Sequence, residues 1–296
     1  MRTGALVMAP DTTSRLPGSN SDSDVPAISR LPGSNSDVPA TARNPGALTE
    51  HALFQLLAWS SPGYPTGAFS YSHGLEWAVE AGDVTNLQTL LAYVMAVVSR
   101  GGGWIDVVLF AHTWRAVSDM ARLDEPGRTG ASSTPSAEIR RQADAQLDAL
   151  SELASAFRGS AETALESRQQ GAAFLDVTRK AWPHPTLDAF AQRHKSVPIA
   201  HCVAVAIACA AHGVALTPSL HSYLHAVAAN LVSAGARLIP LGQTQAQIAI
   251  ARLSATLAEV VERALTTSLD DLGTSAPSIE VCSLRHETQY TRLFRS

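Results

Sequence analysis

From Gln243 to Leu269 the chain runs without a proline or a glycine, and apolar residues recur along it at helical spacing. Ile248, Ala251, Leu257, Val261 and Leu265 can share one broad face of a long helix. The rest of the chain repeats this pattern in shorter pieces. Leu53, Leu56 and Leu57 form an apolar stripe on a first helix, stopped at Ser60-Ser61-Pro62-Gly63. Tyr71, Leu75, Ala78 and Val79 predict a second, closed by Gly82. Thr85 is read as the N-cap of a helix toward Arg100, Gly101-Gly102-Gly103 as a flexible turn, and 105–117 as the next helix. Further helices are expected from Ser136 through Phe157, from Ser160 with Thr163 to about Lys180, and from Phe190 through Ala211 with an interruption at Pro198. Thr217-Pro218 matches a cap followed by a first-turn proline on a helix to Leu238, and Pro240-Leu241-Gly242 breaks the chain again. No segment shows short valine-rich strands joined by hairpin turns. The expectation is an all-α, single-domain, multi-helix bundle-like fold.

The first 47 residues do not follow this pattern. Ser29 to Ala40 repeats Ser14 to Ala27 with one Ser-Asp pair removed, and turn formers dominate. So few apolar groups cannot offset the entropy of ordering the chain. Residues 1–47 are therefore read as a disordered low-complexity extension, with a short interaction motif as the lesser alternative. Residues 48–276 form the helical domain and 277–296 a C-terminal tail. The polar stretch 124–135 is read as a surface loop inside the domain.

Composition removes several classes of function. A net charge of -4 and a pI near 6.2 argue against nucleic acid. Three cysteines, an odd number, fit a reducing compartment. Leu6-Val7-Met8 is too short and too soon broken to be a signal peptide core, and the apolar run Cys202–Ala211 falls short of a membrane span. The expected location is the cytoplasm, with no membrane partner. Only 16% of residues are charged, which suggests surface hidden in an oligomer.

Catalytic chemistry is hard to find. There is no phosphate loop and no Gly-x-Ser-x-Gly elbow, and Gly101-Gly102-Gly103 lacks the lysine a nucleotide cradle needs. His201, Cys202, Cys209 and His212 lie close in sequence, but the alanine, valine and isoleucine around the cysteines favour core packing over metal. His221 and His225, four apart, are weak metal candidates or ordinary surface histidines. Cys282 has no neighbouring base. Glu76, Glu80 and Asp83 form either an acidic docking spot or a plain solvated face. No catalytic residue is assigned.

Two segments have the composition of interfaces. Ser61 to Glu76 presents Tyr64 and Phe69 from the constrained turn Pro65-Thr66-Gly67, followed by Ser70, Tyr71 and His73. Either Phe69 and Tyr71 plug the core while Tyr64 merely covers it, or the segment forms an exposed binding edge. The tail Arg285-His286-Glu287-Thr288-Gln289-Tyr290-Thr291-Arg292-Leu293-Phe294-Arg295-Ser296 joins arginine forks to apolar anchors. It is either a strap docked on its own body or an arm for a partner, and both hold if docking leaves one face free. Arg237, in Arg237-Leu238-Ile239-Pro240-Leu241-Gly242-Gln243-Thr244, is either a helix C-terminal cap or a dimer contact.

These same blocks, Leu56 to Glu76, Arg237 to Thr244 and Arg285 to Ser296, resemble the urease accessory protein UreF family, in that family's order, from about Leu48 onward. Trp59 and Tyr64 depart from the family's commoner Leu-Ala-Ser-Pro-Ala-Leu-Pro pattern. The resemblance implies an all-helical homodimer that is not an enzyme. It implies a scaffold joining a UreD/UreH-type protein and the GTPase UreG for nickel insertion into apo-urease, with some control of the GTPase. Nickel and GTP-Mg would be used by the assembled complex, and the chain would need no cofactor of its own. Partner-binding residues implied are Tyr64, Phe69, Ser70, Tyr71, His73 and Glu76 at the front, Arg237 and Gln243 in the dimer region, and Arg285, His286, Glu287, Tyr290, Arg292, Leu293, Phe294 and Arg295 in the tail. The competing readings are a helical nickel-binding metallochaperone using His221, His225, His201 or the cysteines and, more remotely, a helical hydrolase built on Cys282.

Overall fold

A computed structural model describes residues 48–123 and 137–296. The N-terminal extension and the 124–135 connection lie outside the described residues, as does the expected helix start at Ser136. Within them are eleven α-helices and no strand: α1 (Glu50–Trp59), α2 (Leu75–Glu80), α3 (Leu87–Arg100), α4 (Gly102–Leu123), α5 (Ala137–Ala156), α6 (Ala161–Ala181), α7 (Pro185–Arg193), α8 (His201–Ala211), α9 (Leu216–Leu238), α10 (Gln243–Ala264) and α11 (Pro277–His286). A single 3-10 turn, Ala68–Ser70, lies between α1 and α2.

The centre is α8, whose residues from Cys202 to Ala210 are buried all round save Val205. A helix apolar on every side has to be surrounded, and α4 and α6 flank it. The approach of α6 is permitted by Gly171, where a Cβ would lie 2.1 Å from the Ile199 carbonyl oxygen. Helices α9 and α10 lie side by side, α3 packs on α4, α9 and α10, and α11 crosses α2 and α6. The apolar stretch 87–123 is long enough to cross a membrane by composition, but it is α3 and α4 broken at Gly101, and most of it is buried among neighbouring helices.

Helix starts follow local chemistry. Ser160 and Thr163 cap α6 reciprocally, as their spacing predicts. The cap of α3 is Asn86 rather than Thr85: its carboxamide oxygen accepts from the backbone N–H groups of Gln88 and Thr89. Gly82, at φ +83°, closes α2. Helix α7 begins earlier than the sequence suggests, because His184 caps it and Pro185 takes the first position. The break before α8 then covers 194–200. Thr217 and Pro218 lie inside the first turn of α9, whose cap is Ala215.

Two apolar faces are turned from where periodicity placed them. On α10 the buried set is Ala246, Ala249, Leu253, Leu257, Val260, Val261 and Ala264, while Ile248 and Ala251 face outward. On α1, Leu56 is buried but Leu53, Phe54 and Leu57 are exposed. Gly101 to Gly103 is a tight corner, with Gly103 so close to Val98 that a Cβ would lie 2.9 Å from its Cα.

Candidate functional site

The front segment and the tail, distant in sequence, form one interlocked structure. Its turn requires unusual backbone. His73 (φ 54°) and Gly74 (φ +78°) are both left-handed, a conformation that glycine takes freely and histidine does not. At Gly74 a Cβ would lie 2.5 Å from the backbone nitrogen of Ser283, so only glycine allows α11 to lie against this turn.

Glu76, in the first turn of α2, is nearly buried and organises the tail. It is neither a solvated residue nor an open docking spot. Its Oε1 accepts the Leu293 N–H at 2.6 Å and its Oε2 the Phe294 N–H at 2.9 Å. His286, with no solvent contact, lies between two carboxylates: Nε2 is 3.1 Å from Glu76 and Nδ1 is 2.6 Å from Glu162. Glu162 also binds Arg292 at 2.6 Å, and Glu287 accepts the Ala161 N–H at the start of α6. A carboxylate there also suits the positive end of the helix. Glu80 accepts from the Gln289 carboxamide.

The last residues run along the front segment. Arg295 N–H donates to the Ser70 carbonyl at 2.8 Å, and the Ser72 N–H and hydroxyl both donate to the Ser296 carbonyl. Ser296 Oγ reaches Glu166 on α6 at 2.9 Å. Phe294 is buried under Arg237, whose guanidinium stands 4.4 Å from the ring centre and donates to the Phe69 carbonyl. Arg237 is therefore more than a helix cap. Tyr71 is buried, its hydroxyl donating to Gln169 and facing the Arg295 side chain.

Docking leaves a free face. Tyr290 is fully exposed and Leu293 is 65% exposed, with Val281 and Leu284 of α11 and the Arg285 side chain also outward. Phe69 points to solvent, whereas Tyr64 packs on Phe174 and Trp182 and bonds Thr178. Thus Tyr64, half-buried, covers the core and Tyr71 plugs it, whereas Phe69 stands at the edge. Gln243 lies exposed at the start of α10 and joins none of these contacts.

Behind the turn is a pocket of about 270 Å³, open to the surface on one side and lined in part by His73, Asp106, Arg158, Glu166, His201 and Tyr223. Arg158 reaches Asp106 at 2.7 Å, and the Tyr223 hydroxyl donates to the other carboxylate oxygen at 2.9 Å. Burial works against the Arg158 charge, but Asp106 outweighs it and holds the guanidinium protonated. His73 Nε2 is 3.0 Å from Glu166. Burial opposes its protonation, yet the carboxylate prevails and its pKa is raised. His201 has no such close partner, and burial drives it down to about 4, so it is neutral at pH 7. Sequence reasoning missed Glu162, Glu166, Gln169, Asp106 and Arg158. Their only signal was polar residues on otherwise helical, partly apolar segments.

The metal and nucleophile candidates stay apart. His221 and His225 are exposed on α9. Among the described residues no group of three or more His, Cys, Asp or Glu is arranged to hold a metal ion. Burial pushes the Cys209 thiol up to about 12 and raises Cys202 and Cys282 as well, so none is a ready thiolate. His286, one turn from Cys282, is already held by two carboxylates.

The sequence model of the UreF family matches residues 84–254. The chain belongs to the UreF family. It is similar to the urease accessory protein UreF of Rhodopseudomonas palustris strain TIE-1, at 46% identity over 257 residues, covering 87% of this chain and 98% of that protein. It is also similar to UreF of Granulibacter bethesdensis, at 47% over 247 residues (83% and 94%), and of Bradyrhizobium diazoefficiens, at 43% over 258 residues (87% and 97%). The UreF model covers α3 to α9 and the first half of α10, so α1, the front turn, α2, α11 and the tail lie outside it.

Proposed function

We propose that this UreF-family chain is a non-enzymatic urease maturation factor. It acts as a scaffold that joins a UreD/UreH-type protein and the UreG GTPase for nickel insertion into apo-urease. One observation carries this reading: the docked tail turns Tyr290 and Leu293 outward while Glu76, His286 and Glu162 fix its backbone. Exposed aromatic and aliphatic anchors on a rigid support lose little conformational entropy when a partner covers them. The relatives' description as urease accessory proteins supplies the assembly in which such a surface works.

The tail face, residues 285–296 with the outer side of α11, receives the UreD/UreH-type protein. The front edge at Phe69, beside Arg237, serves the second copy of a homodimer or the GTPase. Nickel and GTP-Mg are handled by the partners. Any effect on the GTPase comes from binding one of its conformations more tightly than the other. The work is cytoplasmic, like that of the nucleotide-hydrolysing partner it serves.

Co-purification tests the scaffold. Full-length chain should retain the UreD/UreH-type protein and, with it, UreG, whereas a chain lacking 285–296 should lose both and keep its helical circular dichroism. Equal retention by the two chains would overturn the tail assignment. Tight stoichiometric nickel binding by the isolated chain, abolished by His221→Ala with His225→Ala, would favour the metallochaperone instead.

A further inference from the structure

We propose that the groove between α6 and the connection that follows α7 (residues 194–199) docks an extended acidic segment of a protein partner. The groove, of about 510 Å³, has a largely apolar floor that includes Ala172 and Leu175, with Val197 51% exposed and Pro198 beside it. Arg168 and Lys195 stand exposed along it, and neither has a carboxylate partner among the described residues. The groove's other charges are already matched: Arg179 bonds Asp188, and Asp176 bonds Lys180. Among the described residues these two cations have no carboxylate beside them, on a chain whose net charge is -4.

Charge and shape select the occupant together. Free cations spaced along a shallow trough attract carboxylates, and the open apolar floor offers a place for one aliphatic side chain between them. A nucleic acid would find too few cations here to neutralise a phosphate track, and no exposed aromatic ring on which a base could stack. At one end of the groove, Gln169 accepts the Tyr71 hydroxyl, which also faces Arg295 of the docked tail. This inference does not depend on what the tail face recruits, since the groove is walled by α6 and the 194–199 connection.

The test uses the full chain and a fluorescein-labelled peptide of alternating Asp and Glu around a central Leu, followed by fluorescence anisotropy at low salt. Wild type should bind it, and Arg168→Glu with Lys195→Glu should weaken binding at least tenfold. Val197→Asp should also weaken it severalfold. Arg122→Glu with Arg252→Glu, the same charge change on other helices, should leave affinity within twofold. Circular dichroism confirms that each variant is folded. No peptide binding by wild type, equal loss in the control variant, or tighter binding of a single-stranded oligonucleotide would each overturn the proposal.

Discussion

His286 and Glu76, 210 residues apart in sequence, meet at 3.1 Å in a position closed to solvent. The same carboxylate accepts two backbone N–H groups of the tail, so it fixes both ends of the terminal segment at once.

Glu76→Ala should release the tail. It leaves His286 facing only Glu162 and removes the acceptors of two backbone donors. Breaking a buried, multiply bonded carboxylate of this kind costs about 3–5 kcal/mol. Trypsin should then cut after Arg285 and Arg292 much faster than in wild type, while helical circular dichroism is largely kept below the new melting temperature. Unchanged cleavage would show that Glu76 does not hold the strap.

Gly74→Ala tests the contact from the other side. A methyl group there meets the backbone of α11 and must adopt a left-handed conformation. Backbone atoms cannot swing aside, so the loss should exceed the roughly 1 kcal/mol that the conformation alone costs. Thermal unfolding should show a lower midpoint. By contrast, Gly273→Ala, where a Cβ would find open space, should leave the midpoint nearly unchanged.

The two cavity histidines give opposite pH dependences. His73 has a raised pKa, so its contribution is fully present below its unfolded value, about 6.5, and is lost as pH rises through the folded value. His201 is lowered to about 4, so the unfolded chain binds its proton first as pH falls from 6.5 toward 4. That difference is on the order of 3 kcal/mol by pH 4. Urea unfolding from pH 4 to 8 should show stability falling on either side of about pH 6.5. His201→Gln should flatten the acid limb and His73→Gln the alkaline limb; curves unchanged by both substitutions would sink this assignment.

Tyr290→Ala with Leu293→Asp separates recognition from stability. Both side chains are largely exposed, so unfolding free energy should move by no more than about 0.5 kcal/mol. Co-purification of the UreD/UreH-type protein should nevertheless drop sharply. Full retention of that partner would place its binding surface elsewhere.

Helix punctuation was the most legible part of the fold, because caps and breakers act over three or four residues. Ser160 with Thr163 and Gly82 behave as their spacing predicts. Helical face was less legible. The outward Ile248 and Leu57 show that an apolar residue at the right period does not itself say which side is buried. The tail was readable as a strap or an arm. Its clasp was not, because Glu162, Glu166 and Gln169 lie on a helix far in sequence from both segments it joins. Nothing local distinguishes those residues from the solvated charges of an ordinary helix. The groove beside α6 escaped notice for the same reason: Arg168 and Lys195 become neighbours only through packing.

Ser72 grips the carbonyl of Ser296 across almost the whole length of the helical body. That bond belongs to one clasp in which the front turn, α6 and α11 all hold the tail. Half-folded chains therefore cannot display Tyr290 and Leu293 in the correct setting, and any partner that reads those two side chains also inspects the finished state of the molecule beneath them.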